Sequence, residues 1–390
     1  NEKPLEEISL SQVEYLANDL SARFLHDNPT LYSSGVTTYV YQANAYFTNA
    51  QNIQYIRPFR LLCIQLHASA ITEDGDTLHD NTQLLYRDFH DLPDIEILYQ
   101  EVDLMAHRLQ EWAHAPKLTE YYDGPVLLSK DAVSELLPYL LLESAPSLLN
   151  VRTPINTQNY TPNFWMKMLN KQITSNMLNI SANYEQEITA GVHLIGHQTL
   201  DAEGLEPNKK TVLVQRGKLL ELLSNRTPTK SGKYSNGHQQ LCLNNGYLVT
   251  ALGAGILEIT GNNTLDERAL TKELLKQARA AGNKYAYRIE KMGKQQDADG
   301  HIRLVPLYVN RIKVANGEAF PVRVSQTESV DFNLLNKVSG VSRERVVFNK
   351  LLKQLNTKQM NKQDIFWGIP SSIISPSFIL LKNFQLMPQE

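Results

Sequence analysis

An α+β fold in two domains is predicted by three features of the sequence. Strand-like runs succeed one another without an intervening helix over Val36–Ala70, and again from His193 onward. Helical stripes are few and unevenly spaced: Leu10–Phe24, Asp94–His114, a segment after Ser129 and another after Thr264. The two kinds of segment do not alternate as a doubly wound α/β sheet requires, so mixed and antiparallel sheets with a few helices are expected.

In the first helix, Val13, Leu16, Leu20 and Phe24 recur at helical spacing. Val36–Phe47 and Ile56–Ala70 alternate as half-buried strands of an antiparallel sheet do. Asp74-Gly75 reads as a turn. His79, His90 and His107 follow among Asp74, Asp76, Asp80, Asp88 and Asp91. Such a mixture could hold a divalent cation, but it matches no known ligand spacing, and a solvated acidic loop is expected. In Asp94–His114, Leu98, Val102, Met105, Leu109 and Trp112 make one apolar stripe, which Ala115-Pro116 ends. The domain boundary is expected there, giving domains 1–115 and 116–390.

Tyr122–Leu128 opens the second domain as a strand, and Ser129 is the expected N-cap of a helix with Asp131 in its first turn. Val133, Leu136, Leu137, Leu140 and Leu141 form its apolar face, and Pro138 inside it should kink or shorten it. The Asn-rich stretch Asn150–Ala190 reads as a long loop with a short helix near Phe164–Leu169. Thr211–Gln215, Arg216-Gly217 and Lys218–Leu223 spell a hairpin. Asn225–His238 is polar and reads as a mobile loop; Leu248–Ile259 is apolar and holds Gly253 and Gly255. Thr264, with Glu267 three residues on, suggests a capping box, Leu270, Leu274 and Ala278 a buried face, and Gly282 a stop. Leu304–Val314, Asn316-Gly317 and Phe320–Val324 make a second hairpin, and Ser372–Leu386 reads as a proline-interrupted closing strand.

Composition removes several function classes. A net charge of −3 offers no electrostatic case for nucleic acid, and no Lys/Arg cluster stands out. No run approaches the roughly 18 apolar residues that span a membrane. Cys63 and Cys242 read as two buried thiols, and no CxxC pair exists. There is no GxSxG, and Gly253-Ala254-Gly255 lacks the rest of a dinucleotide fingerprint.

Four segments in order resemble the TldD/PmbA family, historically labelled modulators of DNA gyrase and related to metallopeptidases. They are GPVLLSKDAVSELL (Gly124–Leu137), DAEGLEPNKKTVLVQRGKLLELLSNR (Asp201–Arg226) with the loop Tyr234–His238, Leu307–Val324, and SIISPSFILLKNFQL (Ser372–Leu386). Residues 1–115 fit the end of the family's N-terminal domain loosely. The resemblance implies that family's α+β fold, a homodimer and a cytoplasmic setting. The chain begins at Asn1 rather than Met, so an extracytoplasmic setting follows if a leader has been removed.

Metal-binding members of the family carry HExxxH on the helix after the GPVLL strand and a cysteine near the C-terminus. Their histidines hold zinc, and the glutamate polarises water for amide hydrolysis. Position by position, the first histidine falls on Pro138, the glutamate on Tyr139, the second histidine on Glu143, and the cysteine near Lys362. Only Glu143 is a ligand type, so no cofactor is expected. The expected function is recognition of a peptide or protein partner in an inter-domain cleft, by strand addition, without zinc peptidase chemistry. The alternative is a metal-dependent peptidase with a relocated site, holding zinc through His193, His197, Glu143 or His238 brought within about 5 Å. His193-x₃-His197 would suit zinc on a helix, but Gly191 and Gly196 favour a strand and turn. His238 lies in the loop that resembles the family's substrate-side loop, where it contacts a peptide or is simply exposed.

Overall fold

The computed structural model describes residues 5, 8–25, 31–50, 52–143, 148, 164–227, 234–244, 246–296, 302–352 and 367–388. The chain divides into two compact units, Asn1–Lys117 with Pro321–Arg323, and Leu118–Phe320 with Val324–Glu390. In chain order the first unit holds α1 (Leu10–Leu25), β1 (Leu31–Thr48), β2 (Gln54–Ile71), β3 (Thr77–Tyr86) and α2 (Ile95–Ala113). The three strands form an antiparallel sheet in the order β1-β2-β3. The stripes of both helices close on it: Leu16, Leu20 and Phe24 with Leu98, Val102, Met105 and Leu109 share a core with Ile64, Leu66, Ala68 and Ala70. Those four residues alternate along β2, as one face of a pleated strand must.

The acidic stretch expected to be a solvated loop is a correction. Its middle is β3, where Asp80 is 3% exposed and His79 lies opposite Ser69, with Nδ1 2.8 Å from the hydroxyl. Asp74 and Asp76 flank the turn and pair with Lys117 and Arg323. Asp74 and Asp76 are part-exposed and ion-paired, so charge compensation adds to solvation at this turn.

The second unit continues with β4 (Tyr122–Leu128), α3 (Lys130–Pro138), β5 (Leu178–Asn183), β6 (Ile188–Thr189), β7 (Val192–His193), β8 (Lys210–Gln215) and β9 (Lys218–Leu219). Then come β10 (Gln239–Asn244), β11 (Tyr247–Leu252), β12 (Ile256–Gly261), α4 (Glu267–Ala280), β13 (Tyr285–Gln296), β14 (Ile302–Lys313) and β15 (Ala319–Val322). It closes with β16 (Gln326–Thr327), β17 (Val338–Val341), β18 (Arg345–Leu352), β19 (Ile369–Pro376) and β20 (Ile379–Met387). One sheet runs β18-β19-β12-β5-β8-β9; the other runs β15-β14-β13-β4-β20-β16, with β17 also on β20. Both are mixed: β12–β19 and β13–β4 are parallel pairs, whereas β18–β19, β12–β5 and β5–β8 in the first and β13–β14 and β4–β20 in the second are antiparallel.

Helix α4 lays Leu270, Leu274 and Ala278 over Leu127, Ala286, Ile312 and Leu380 of the second sheet. Val126 and Leu128, which point the other way along β4, are no more than 1% exposed, so both faces of this strand are covered. Helix α3 packs on β13 of the same sheet and on β18 and β19 of the other.

Local expectations fail in three further places, and one run left without an element is resolved. Asn150–Ala190 is not one loop, because β5 lies inside the first sheet between β12 and β8. The apolar run at Leu248–Ile259 is two strands, broken at Gly253–Gly255. The closing run is also two strands in different sheets, parted just after Pro376, which has no N–H to continue a ladder. The cap of α4 is Asp266, whose carboxylate accepts from the Ala269 N–H, rather than Thr264. Cys63 and Cys242 are free and buried, as read from the sequence.

Candidate functional site

The segment onto which the resemblance carries the family's metal ligands is the end of α3. Ser129 stands at the N-cap position, but its hydroxyl does not cap. It donates to Glu290 Oε2 at 2.6 Å and accepts from Arg288 Nε at 2.9 Å, tying the β4–α3 junction to β13. Pro138 is the last residue of α3 and has no N–H to offer, yet the next N–H, that of Tyr139, still reaches the Glu135 carbonyl. The chain does not leave the helical path there: Tyr139–Glu143 continues as a single π-helical turn, every residue of it buried. A π turn closes hydrogen bonds between residues five apart and is frequent at functional sites. Pro138 and Glu143, onto which the resemblance carries the two histidines, stand at the two ends of this turn.

Two carboxylates and a phenol occupy this segment. Glu143 has a side chain 3% exposed, and Lys294 from β13 puts Nζ 2.7 Å from its Oε2. Glu135, two turns earlier, pairs with Lys350 from β18. Burial works to raise the Glu135 pKa, but Lys350, Lys294 and Lys291 together outweigh it and hold it below the usual carboxylate range. Burial works to lower the Lys294 pKa, and the attraction of Glu143 and Glu135 more than offsets it. The Tyr139 hydroxyl is pushed up, first by burial and then by Glu143. The π turn is thus tied to one sheet and α3 to the other, each by an ion pair.

These residues do not fit zinc. Pro138 has no donor atom, Tyr139 is a protonated phenol, and the Glu143 carboxylate already carries an ammonium. Lys362 lies outside the described residues. Among the described residues, no three His, Cys, Asp or Glu side chains stand close enough to share a metal ion.

The other candidate residues are dispersed. His193 ends the short β6–β7 hairpin, whose turn carries positive φ at Ala190 (50°) and Gly191 (79°). His197 follows in a turn closed by its own N–H on the Leu194 carbonyl, so the pair is not helical. Gly196 between them lies against the Gly255 backbone, where a Cβ would come within 1.8 Å of the carbonyl oxygen. Close backbone approach, anchored by Ser372 Oγ accepting from the Gly196 N–H at 3.2 Å, accounts for both glycines.

His238 corrects the expectation of an exposed loop residue, since its exposure is 0%. Its Nδ1 lies 2.8 Å from Asn236 Oδ1, which also accepts from the Ser224 N–H at 2.7 Å. An oxygen that accepts there fixes Nδ1 as the donor and leaves Nε2 as a bare acceptor, which has no partner among the described residues. Burial pushes the His238 pKa down to about 4, so the ring is neutral. Asn236 further donates to Glu221 and to the Leu222 carbonyl, so this end of the expected mobile loop is held in place.

The architecture defines a class first: an α+β protein in which a buried strand feeds a helix that ends in a π turn between two mixed sheets. The family is then plain. The PmbA/TldA metallopeptidase C-terminal domain matches residues 121–387, and the chain belongs to that family. Solved structures share the fold. TldE from Thermococcus kodakarensis has a TM-score of 0.65 at 15% identity, over 99% of this chain and 77% of that one. A Thermotoga maritima protein described as a candidate modulator of a DNA gyrase has 0.65 at 14%, over 99% and 77%. A Bacteroides thetaiotaomicron protein of like description has 0.58 at 14%, over 98% and 72%. No curated protein sequence matches the chain. Among the described residues, no helix is long and apolar enough to cross a membrane.

Proposed function

We propose that this chain is a TldD/PmbA-family protein that binds a peptide or protein partner without performing zinc-dependent hydrolysis. The observation that carries the reading is the Glu143–Lys294 pair: the one ligand-type side chain at the motif positions is neutralised by a lysine ammonium at 2.7 Å. A buried carboxylate already paired and hydrogen-bonded gains little by exchanging that partner for a metal.

An extended partner could bind by strand addition on β11, which pairs only with β10 among the described residues. Tyr247 and Val249 are exposed on it, and no charged residue occurs from Gln239 to Leu257. Edges that must stay single are normally guarded by charges, so this edge is suited to pairing. Assembly as a homodimer belongs to the same proposal. The gyrase description of two solved neighbours is not extended to direct DNA binding here, because a net charge of −3 gives it no support.

The test is elemental analysis of the purified protein after zinc loading and dialysis, with an unstructured peptide offered as substrate and as ligand. The expected result is no stoichiometric zinc, no cleavage and saturable peptide binding. One zinc per chain, lost in Glu143→Ala, with cleavage that follows the metal, would overturn the proposal in favour of a peptidase with an atypical site.

A further inference from the structure

We infer that the Lys294 ammonium is a built-in substitute for a divalent cation at the end of α3 and bars one from binding there. The inference deepens the function proposed above and rests on it. Three observations carry it. The π turn Tyr139–Glu143 is present, so positions 138 and 143 retain a five-residue closure. Lys294 Nζ bonds Glu143 Oε2 from β13, while Lys350 bonds Glu135 from β18. Lys291, only 9% exposed, adds a third positive charge within electrostatic reach of Glu135. A dication arriving at the turn would meet ammonium groups on both carboxylates. The cation that neutralises this part of the interior is covalently part of the chain and cannot dissociate.

Loss of the histidines is therefore not the whole reason that this position should refuse a metal. The lysine is a second barrier and should persist when ligands are put back. Two versions of the full chain test this. One carries Pro138→His, Tyr139→Glu and Glu143→His with Lys294 kept; the other carries the same three changes with Lys294→Met. Each is titrated with zinc sulfate against a chromophoric chelator at neutral pH. The version with Lys294→Met is expected to bind zinc at least tenfold more tightly. Equal affinities in two folded proteins would overturn the inference.

A second measurement covers the case in which the multiple variants fail to fold. Glu143→Leu, Lys294→Met and their combination are made in the otherwise unchanged chain, and thermal midpoints are recorded with and without a chelator. Each single change is expected to lower the midpoint and the double change to recover most of the loss, with no effect of chelator on the parent. Additive losses, or a parent midpoint that falls with chelator, would overturn the inference. Its failure stays separable from failure of the proposed function, which would show as zinc and cleavage in the unchanged protein.

Discussion

Glu143 and His238 lie in the interior of the same unit, with exposures of 5% and 0%, and they meet burial in opposite ways. Glu143 takes an ammonium from a strand 151 residues away in sequence. His238 gives up its charge, donates through Nδ1 to Asn236, and leaves Nε2 without a partner among the described residues. The difference follows from the two costs involved. An uncompensated charge in a low-dielectric interior costs several kcal/mol, whereas one unfilled lone pair on a neutral ring costs about 1–3. A carboxylate whose ordinary pKa is near 4 would have to shift far to be neutral at pH 7; an imidazole need hardly shift at all.

The largest expected effect breaks the first half of that comparison. Lys294→Met removes the ammonium from a carboxylate that is 3% exposed at its side chain. Breaking a fully buried pair costs about 3–5 kcal/mol; the partial exposure of Lys294 reduces this to about 2–4 kcal/mol here. A urea midpoint measures it. The control is Lys276→Met, whose lysine pairs with Glu273 at 76% exposure and should cost less than about 0.5 kcal/mol. Equal shifts for the two lysines would mean that burial does not set the value of the pair.

The second effect concerns His238 and is read with pH. Its folded pKa is about 4 against 6.5 for the free side chain. Between those values the unfolded chain binds the proton and the folded one does not, so stability rises with pH across the window. The contribution is complete above about pH 6.5 and is lost progressively as pH falls toward 4, to a total of about 3 kcal/mol. Unfolding midpoints from pH 7 to 4 should fall more steeply in the parent than in His238→Gln, which carries no titrating ring. Parallel curves would show that His238 accepts its proton without leaving its buried place.

Much of this was legible in the sequence where one residue pattern answers to one buried face. The stripes of α1, α2 and α4 and the limits of β2 and β4 are of that kind, whereas β1 begins five residues before the expected Val36. The π turn was visible only as a disturbance at Pro138. What could not be read depends on partners far along the chain. β5 alternates Asn179, Ser181 and Asn183 with apolar residues and sits inside a sheet, where Asn179 bonds Asn262 and Arg216 and Asn183 bonds Glu258. Those polar groups look like a loop until their acceptors and donors are known. Lys294 carries no signal of its own in the sequence, and His238 reads as a loop residue beside Gly237. Nothing local marks Glu143 or His238 as interior, because the covering residues come from other strands, and Lys294 reaches Glu143 from a part-exposed position on β13.

The smallest effect extends the comparison to an exposed carboxylate. Asp266 accepts from the Ala269 N–H at 2.7 Å in water-accessible surroundings, so its partner is a backbone dipole and its desolvation is slight. Asp266→Ala should therefore cost about 1 kcal/mol, and Asp266→Asn, which keeps an accepting oxygen, only a few tenths. Thr264→Ala separates the observed cap from the one suggested by the capping-box spacing and should cost less than either reading of Thr264 as a cap would demand, within about 0.5 kcal/mol of zero. A larger loss at Thr264 than at Asp266 would move the helix start back to the position that the spacing implies. The ranking Lys294, His238, Asp266 is then a single statement about burial. The same kinds of polar group cost more to disturb as water is withdrawn, and the charged one costs most because it alone cannot be left neutral.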